Sequence, residues 1–118
     1  MPTTVLIVDD HPSFRASARA VLEAYGFEIV GEDANGASAL ATVAELAPDV
    51  VLLDIQLPDM TGFDVCEALG SRNGSAPEVV LVSSRDVTDY GDLIGRSHAR
   101  GFVPKAELSG EAVAALVR

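Results

Sequence analysis

The stretch that decides the fold is VLIVDDH, Val5 to His11, where four apolar residues run straight into two adjacent carboxylates, Asp9 and Asp10. A short unbroken apolar run suits a strand covered on both faces, as in a parallel sheet flanked by helices. Two like charges at the end of such a strand need a balancing partner from elsewhere in the chain.

Working outward, the same kind of run recurs. Strands are expected at TVLIVD (4–9), FEIVGE (27–32), DVVLLD (49–54), EVVLVS (78–83) and GFVP (101–104), and three of these hold continuous apolar runs rather than an alternating pattern. Helical stretches lie between them. The first follows Pro12, carries Phe14, Ala18, Val21, Leu22 and Tyr25 on one stripe, and stops at Gly26. The second follows Asn35 as N-cap, with Ala37, Leu40, Ala41 and Ala44 expected to be buried. The third starts near Thr61, where Thr61 and Asp64 have capping-box spacing. A fourth is expected over roughly 86–98 despite Gly91 and Gly95, and a fifth follows Ser109. GSRNGSAPE (70–78) reads as a surface loop. Strand–helix alternation repeated five times predicts one domain over residues 1–118, an open α/β sandwich with a parallel sheet.

The bulk properties narrow the class. With 118 residues, 48% of them hydrophobic and 22% charged, the chain can build a core and is not of disordered composition. No apolar run approaches the roughly 20 residues that span a bilayer, and the N-terminus lacks the pattern of a signal peptide. The lone Cys66 excludes an internal disulfide, reads as a core residue, and fits a reducing cytoplasm. A net charge of −10 gives this chain no electrostatic footprint for nucleic acid. Seven of the eight basic residues are arginine, which makes Lys105 the only lysine.

In open α/β sheets ligands bind beyond the carboxyl ends of the strands. Strand one ends at Asp9 and Asp10, strand three at Asp54, strand four at Ser83 and Ser84, and strand five at Lys105. An Asp pair ahead of Pro12, read alone, is a helix N-terminus favoured by the dipole. Together with Asp54 and the only lysine it reads as a site. Converging carboxylates repel unless a cation joins them, and Mg²⁺ is the hard, oxygen-seeking ion that suits them. No His or Cys cluster favours zinc or copper, and His11 and His98 read as a loop residue and a helix end. A carboxylate beside a metal, a lysine and a hydroxyl suits phosphoryl transfer to aspartate.

The stretches VLIVDDHP, VVLLDIQLPDMTGFD, VVLVSSRD and GFVPK resemble bacterial response-regulator receiver domains over essentially the whole chain. The DDHP start is similar to receivers of LuxR/NarL-type regulators, which carry a C-terminal helix-turn-helix DNA-binding domain. The resemblance implies a flavodoxin-like (βα)5 fold with strand order 2-1-3-4-5. It implies that Asp54 accepts phosphoryl from a sensor histidine kinase with Mg²⁺ as cofactor. Asp10 would hold the metal directly, Asp9 through water, and the Gln56 backbone carbonyl would complete the protein ligands together with Asp54. Lys105 and Ser83 would contact the phosphoryl group, and Ser83 and Phe102 would form the switch pair. Gln56 and Arg85 stand at the two positions that tune phosphoryl lifetime in this family; neither is a carboxylate able to orient water, which implies a long-lived adduct.

The chain departs from the family pattern in places. Ala106 rather than proline follows Lys105, His98-Ala99 replaces the common Gly-Ala, and the switch pair is Ser and Phe rather than Thr and Tyr. Two other functional classes compete. An aspartate-nucleophile phosphohydrolase would place a second Asp at position 56, where this chain has Gln56. A receiver-like scaffold would dimerise without phosphorylation. The last helix reads AVAALV from Ala112 to Val117, apolar all round. Its outer face implies cover, either from chain continuing past Arg118 or from a homodimer using helix five with helix one, or with helix four and strand five.

Overall fold

Side chains alternate across each strand, so a strand apolar at every position must serve two cores. The computed structural model, which describes residues 2–70 and 76–117, has this arrangement. Five strands, β1 (Thr4–Val8), β2 (Glu28–Asp33), β3 (Val50–Asp54), β4 (Glu78–Ser83) and β5 (Gly101–Pro104), form one parallel sheet in the order β2-β1-β3-β4-β5. This is the flavodoxin-like order, and it makes β1 and β3 neighbours, with Val8 opposite Leu53. Asp9 and Asp54 therefore emerge side by side.

Between the strands lie α1 (Pro12–Tyr25), α2 (Gly36–Leu46), α3 (Gly62–Gly70), α4 (Leu93–Arg96) and α5 (Gly110–Val117). On one face of the sheet Val5, Ile7, Val50, Leu52, Val80 and Val82 pack with Ala18 and Leu22 of α1 and Val113 and Ala114 of α5. On the other, Leu6, Val8, Val51, Leu53 and Leu81 pack with Ala39 and Val43 of α2 and with Val65, Cys66 and Leu69 of α3. The expected core role of Cys66 holds, and its burial pushes the thiol pKa up. Among the described residues no helix is long and apolar enough to cross a membrane.

Local capping follows the sequence signals. The Asn35 side chain accepts the Ser38 N–H at 2.8 Å, and Thr61 and Asp64 cap each other reciprocally at 3.1 Å. Strand ends differ from the expected ones by a residue: β1 stops at Val8, and β2 runs from Glu28 to Asp33.

Three expectations need correction. In α2 the buried residues are Gly36, Ala39 and Val43; Ala37, Ala41 and Ala44 are exposed and Leu40 is half-buried. Alanine fits either side of a helix, and the larger Val43 sets the phase. In α1, Val21 and Tyr25 are exposed, Ala18 and Leu22 are buried, and Phe14 is half-buried. The single helix expected over 86–98 is instead a 3-10 turn, Val87–Tyr90, followed by the short α4. Gly91 separates them at φ 59°, ψ −127°, a conformation outside any helix and open to glycine alone without strain. The loop expected over 70–78 falls mainly on residues outside the described ones. In α5, Val113 and Ala114 are buried while Ala115 is exposed, so the outer face has no cover from the described chain.

A candidate acidic site at the carboxyl end of the sheet

The turn after β1 carries Asp9 inward and Asp10 outward: Asp9 is fully buried, and the Asp10 side chain is 37% exposed. The Asp9 backbone N–H is tied to the Asp33 carbonyl of β2 at 3.0 Å, and its carbonyl accepts Arg15 Nη1 at 2.6 Å. Asp54, 3% exposed, ends β3. Its Oδ1 accepts the Gln56 backbone N–H at 3.2 Å. Lys105 reaches in just after β5, and its Nζ lies 2.6 Å from Asp9 Oδ2 and 3.4 Å from Asp54 Oδ2. The Phe14 ring lies beneath the ammonium at 4.6 Å to its centroid, a cation–π seat.

Asp9, Asp10, His11 and Asp54 each offer a ligand atom, all within 4.8 Å of one another. The His11 ring, set aside by its sequence context, stands here with Nδ1 3.1 Å from a carboxylate oxygen of both Asp9 and Asp10. Asp9 Oδ2 is buried and, apart from its ion contact with Lys105, accepts no aligned hydrogen bond. A buried, under-bonded carboxylate oxygen beside two more carboxylates fits a hard divalent cation. Burial, and after it the charge of Asp9, pushes the Asp54 carboxyl up to about 6, while Lys105 pulls it down.

The loop after Asp54 is held by close backbone approach. The Gly62 N–H bonds the Ile55 carbonyl at 2.7 Å, and a Cβ at position 62 would meet the Asp54 carbonyl oxygen at 2.6 Å and Ile55 Cα at 2.8 Å. Only glycine allows that approach. The Asp59 carboxylate accepts the Gly36 and Ala37 N–H groups at 2.8 and 2.9 Å, which ties this loop to the start of α2 and holds the Asp59 carboxyl below its usual range.

Of the residues singled out in the sequence, Asp9, Asp10, Asp54 and Lys105 come together directly. Ser83 is buried at the end of β4, one residue beyond Val82, which pairs with Asp54. The side chains of Gln56 and Arg85 are exposed, and Phe102 is half-buried on the α2–α3 side of the sheet. Two polar residues carried no signal in the sequence. Asp33 ends β2 and accepts the Ser38 hydroxyl. The Tyr90 hydroxyl lies 2.6 Å from Ser83 Oγ, a contact made by the 3-10 turn and marked by no periodicity or motif.

Residues 5–117 match the response regulator receiver domain family, and the chain belongs to it. The DNA-binding transcriptional activator EvgA of Escherichia coli K12 is 35% identical over 111 residues, 94% of this chain and 54% of that protein. The signal receiver domain of the response regulator NarL from Mycobacterium tuberculosis superposes with a TM-score of 0.88 at 31% identity, covering 98% of this chain and 96% of that one. A two-component response regulator of the LuxR family from Aurantimonas sp. SI85-9A1 gives a TM-score of 0.88 at 25% identity, covering 99% and 86%. The chain spans about half the length of the curated relatives it matches. Those relatives are named as regulators of transcription, not as enzymes.

Proposed function

We propose that this receiver domain, residues 1–118, is a phosphorylation-controlled switch whose phosphoacceptor is Asp54. The observation that carries the reading is the buried Asp54 carboxylate, gathered with Asp9 and Asp10 and 3.4 Å from the only lysine of the chain. An Asp54 oxygen attacks the phosphorus of a phosphohistidine on a sensor histidine kinase. The P–N bond breaks, and the departing imidazole keeps the electron pair and takes a proton from solvent. Asp9, Asp10, Asp54 and the Gln56 carbonyl would hold Mg²⁺, which supplies charge neutralisation for the phosphoryl oxygens. Lys105 neutralises a phosphoryl oxygen, and the Ser83 hydroxyl donates to another.

The adduct carries about −2 of charge where the carboxylate carried one negative charge, and it shifts a two-state equilibrium of the α4-β5-α5 face. Ser83 and Phe102 report the change to that face. The uncovered side of α5 supports a homodimer through α5 with α1, or with α4 and β5. The names of the matched relatives support an output domain outside this chain that binds DNA and regulates transcription in the bacterial cytoplasm; a net charge of −10 supports no DNA contact by this domain itself. Acetyl phosphate with Mg²⁺ is expected to give a phosphoryl adduct that EDTA prevents, with a change in sedimentation coefficient. An adduct with unchanged sedimentation would remove the dimer switch.

A further inference from the structure

We infer that Tyr90 is a positioning residue, a latch that holds the Ser83 hydroxyl away from Asp54 until a phosphoryl group competes for it. This rests on the phosphoacceptor role proposed for Asp54. Ser83 is 1% exposed, and its Oγ accepts the Arg85 backbone N–H at 3.0 Å and shares a 2.6 Å hydrogen bond with the Tyr90 hydroxyl. These two bonds, and none to Asp54 or Lys105, are the hydrogen bonds of that hydroxyl among the described residues. A serine hydroxyl has one proton, so a Ser83 that donates to Tyr90 must give up that bond to donate to a group on Asp54.

Tyr90 is also the mechanical anchor of its turn. Val87, Thr88 and Asp89 are exposed, whereas the half-buried Tyr90 ring lies edge-on to Phe63 of α3 at 5.8 Å and tilted against Phe102 of β5 at 6.2 Å. Gly91, with its positive φ, follows directly. One phenol thus joins the strand-end hydroxyl to an aromatic pair on two other elements. When Ser83 leaves, Tyr90 loses its buried polar partner, and the turn ahead of α4 loses its bond to the end of β4. Phe102 has no hydroxyl; the phenol that meets Ser83 is that of Tyr90.

The test uses beryllofluoride with Mg²⁺ as a stable phosphoryl mimic and measures its affinity for four proteins: wild type, Tyr90→Phe, Ser83→Ala and the double variant. Tyr90→Phe keeps the ring and its packing and removes only the competing hydroxyl, so it is expected to bind the mimic roughly threefold to tenfold more tightly. In the Ser83→Ala background the same change is expected to alter affinity less than about twofold, since no serine hydroxyl is left to release. Equal or weaker binding by Tyr90→Phe, or an unchanged gain without Ser83, overturns the latch while leaving the phosphoacceptor reading in place. No binding by the wild type overturns both. A second readout needs no affinity difference. The chain has two tyrosines and no tryptophan, so in Tyr25→Phe the tyrosine emission comes from Tyr90 alone. The mimic is expected to change that emission, and a flat signal on saturation contradicts the latch.

Discussion

Lys105 Nζ stands 2.6 Å from Asp9 Oδ2 and 3.4 Å from Asp54 Oδ2, so the only lysine of the chain pairs more closely with a proposed metal ligand than with the proposed phosphoacceptor. It occupies the electrostatic place that a divalent cation would share. Lys105→Met should therefore bind Mg²⁺ more tightly, by roughly threefold to thirtyfold, because one cation no longer opposes another. The same variant should accept phosphoryl from acetyl phosphate at least about tenfold more slowly, having lost a donor to the transferring group. Calorimetric titration with Mg²⁺ checks the first half; weaker binding would mean that Lys105 organises the carboxylates rather than competing for them.

Asp54 stores instability. Its carboxyl is raised to about 6 by burial and by the neighbouring charge of Asp9. The folded protein thus holds a proton that the unfolded chain has released between about pH 4 and pH 6. Stability in the absence of metal should fall as pH rises through that window and level off above it. Asp54→Asn removes the buried charge and should raise metal-free stability by about 1–3 kcal/mol at pH 7.5, with the gain vanishing near pH 4. Urea unfolding at both pH values measures this, and a variant less stable than wild type at pH 7.5 would contradict it. Mg²⁺ should narrow the gap by stabilising the wild type.

Gly62 sets the path of the loop behind Asp54, the proposed phosphoacceptor. A Cβ there collides with backbone at Asp54 and Ile55, not with a flexible side chain that could move aside. Gly62→Ala should cost about 1–3 kcal/mol of stability and slow phosphorylation of Asp54. A variant with unchanged urea midpoint and unchanged adduct formation would show that the loop has room the distances do not leave it.

The side chains of Gln56 and Arg85, two residues beyond Asp54 and Ser83, are exposed, and neither is a carboxylate able to orient water. The phosphoryl group on Asp54 should persist for minutes or longer with Mg²⁺ bound, and Gln56→Glu or Arg85→Glu should shorten its life. Loss of the adduct within seconds from the wild type would contradict this account of its lifetime.

The central strands were legible in the sequence because β1, β3 and β4 are covered on both faces and each carries four consecutive apolar residues, 5–8, 50–53 and 79–82. Their ends placed Asp9, Asp54, Ser83 and Lys105 along one edge, and the strand order brought the carboxylates together. What could not be read depends on contacts rather than on pattern. In GASALATVAEL small residues surround the helix, so only packing fixes its inward face. Gly91 splits the fourth helical segment by adopting a positive φ that spacing does not reveal. Tyr25 lies on the apolar stripe of α1, yet it stacks on Phe27 near the surface, 46% exposed. Tyr90 meets Ser83 only because a 3-10 turn folds back over the end of β4.

The central claim is that Asp54 accepts a phosphoryl group at a site completed by Mg²⁺. The most direct measurement is the intact mass of the wild type and of Asp54→Asn after incubation with acetyl phosphate and Mg²⁺. The wild type should gain a single phosphoryl group and the variant none. An unmodified wild type, or an equal adduct on Asp54→Asn, would contradict the assignment.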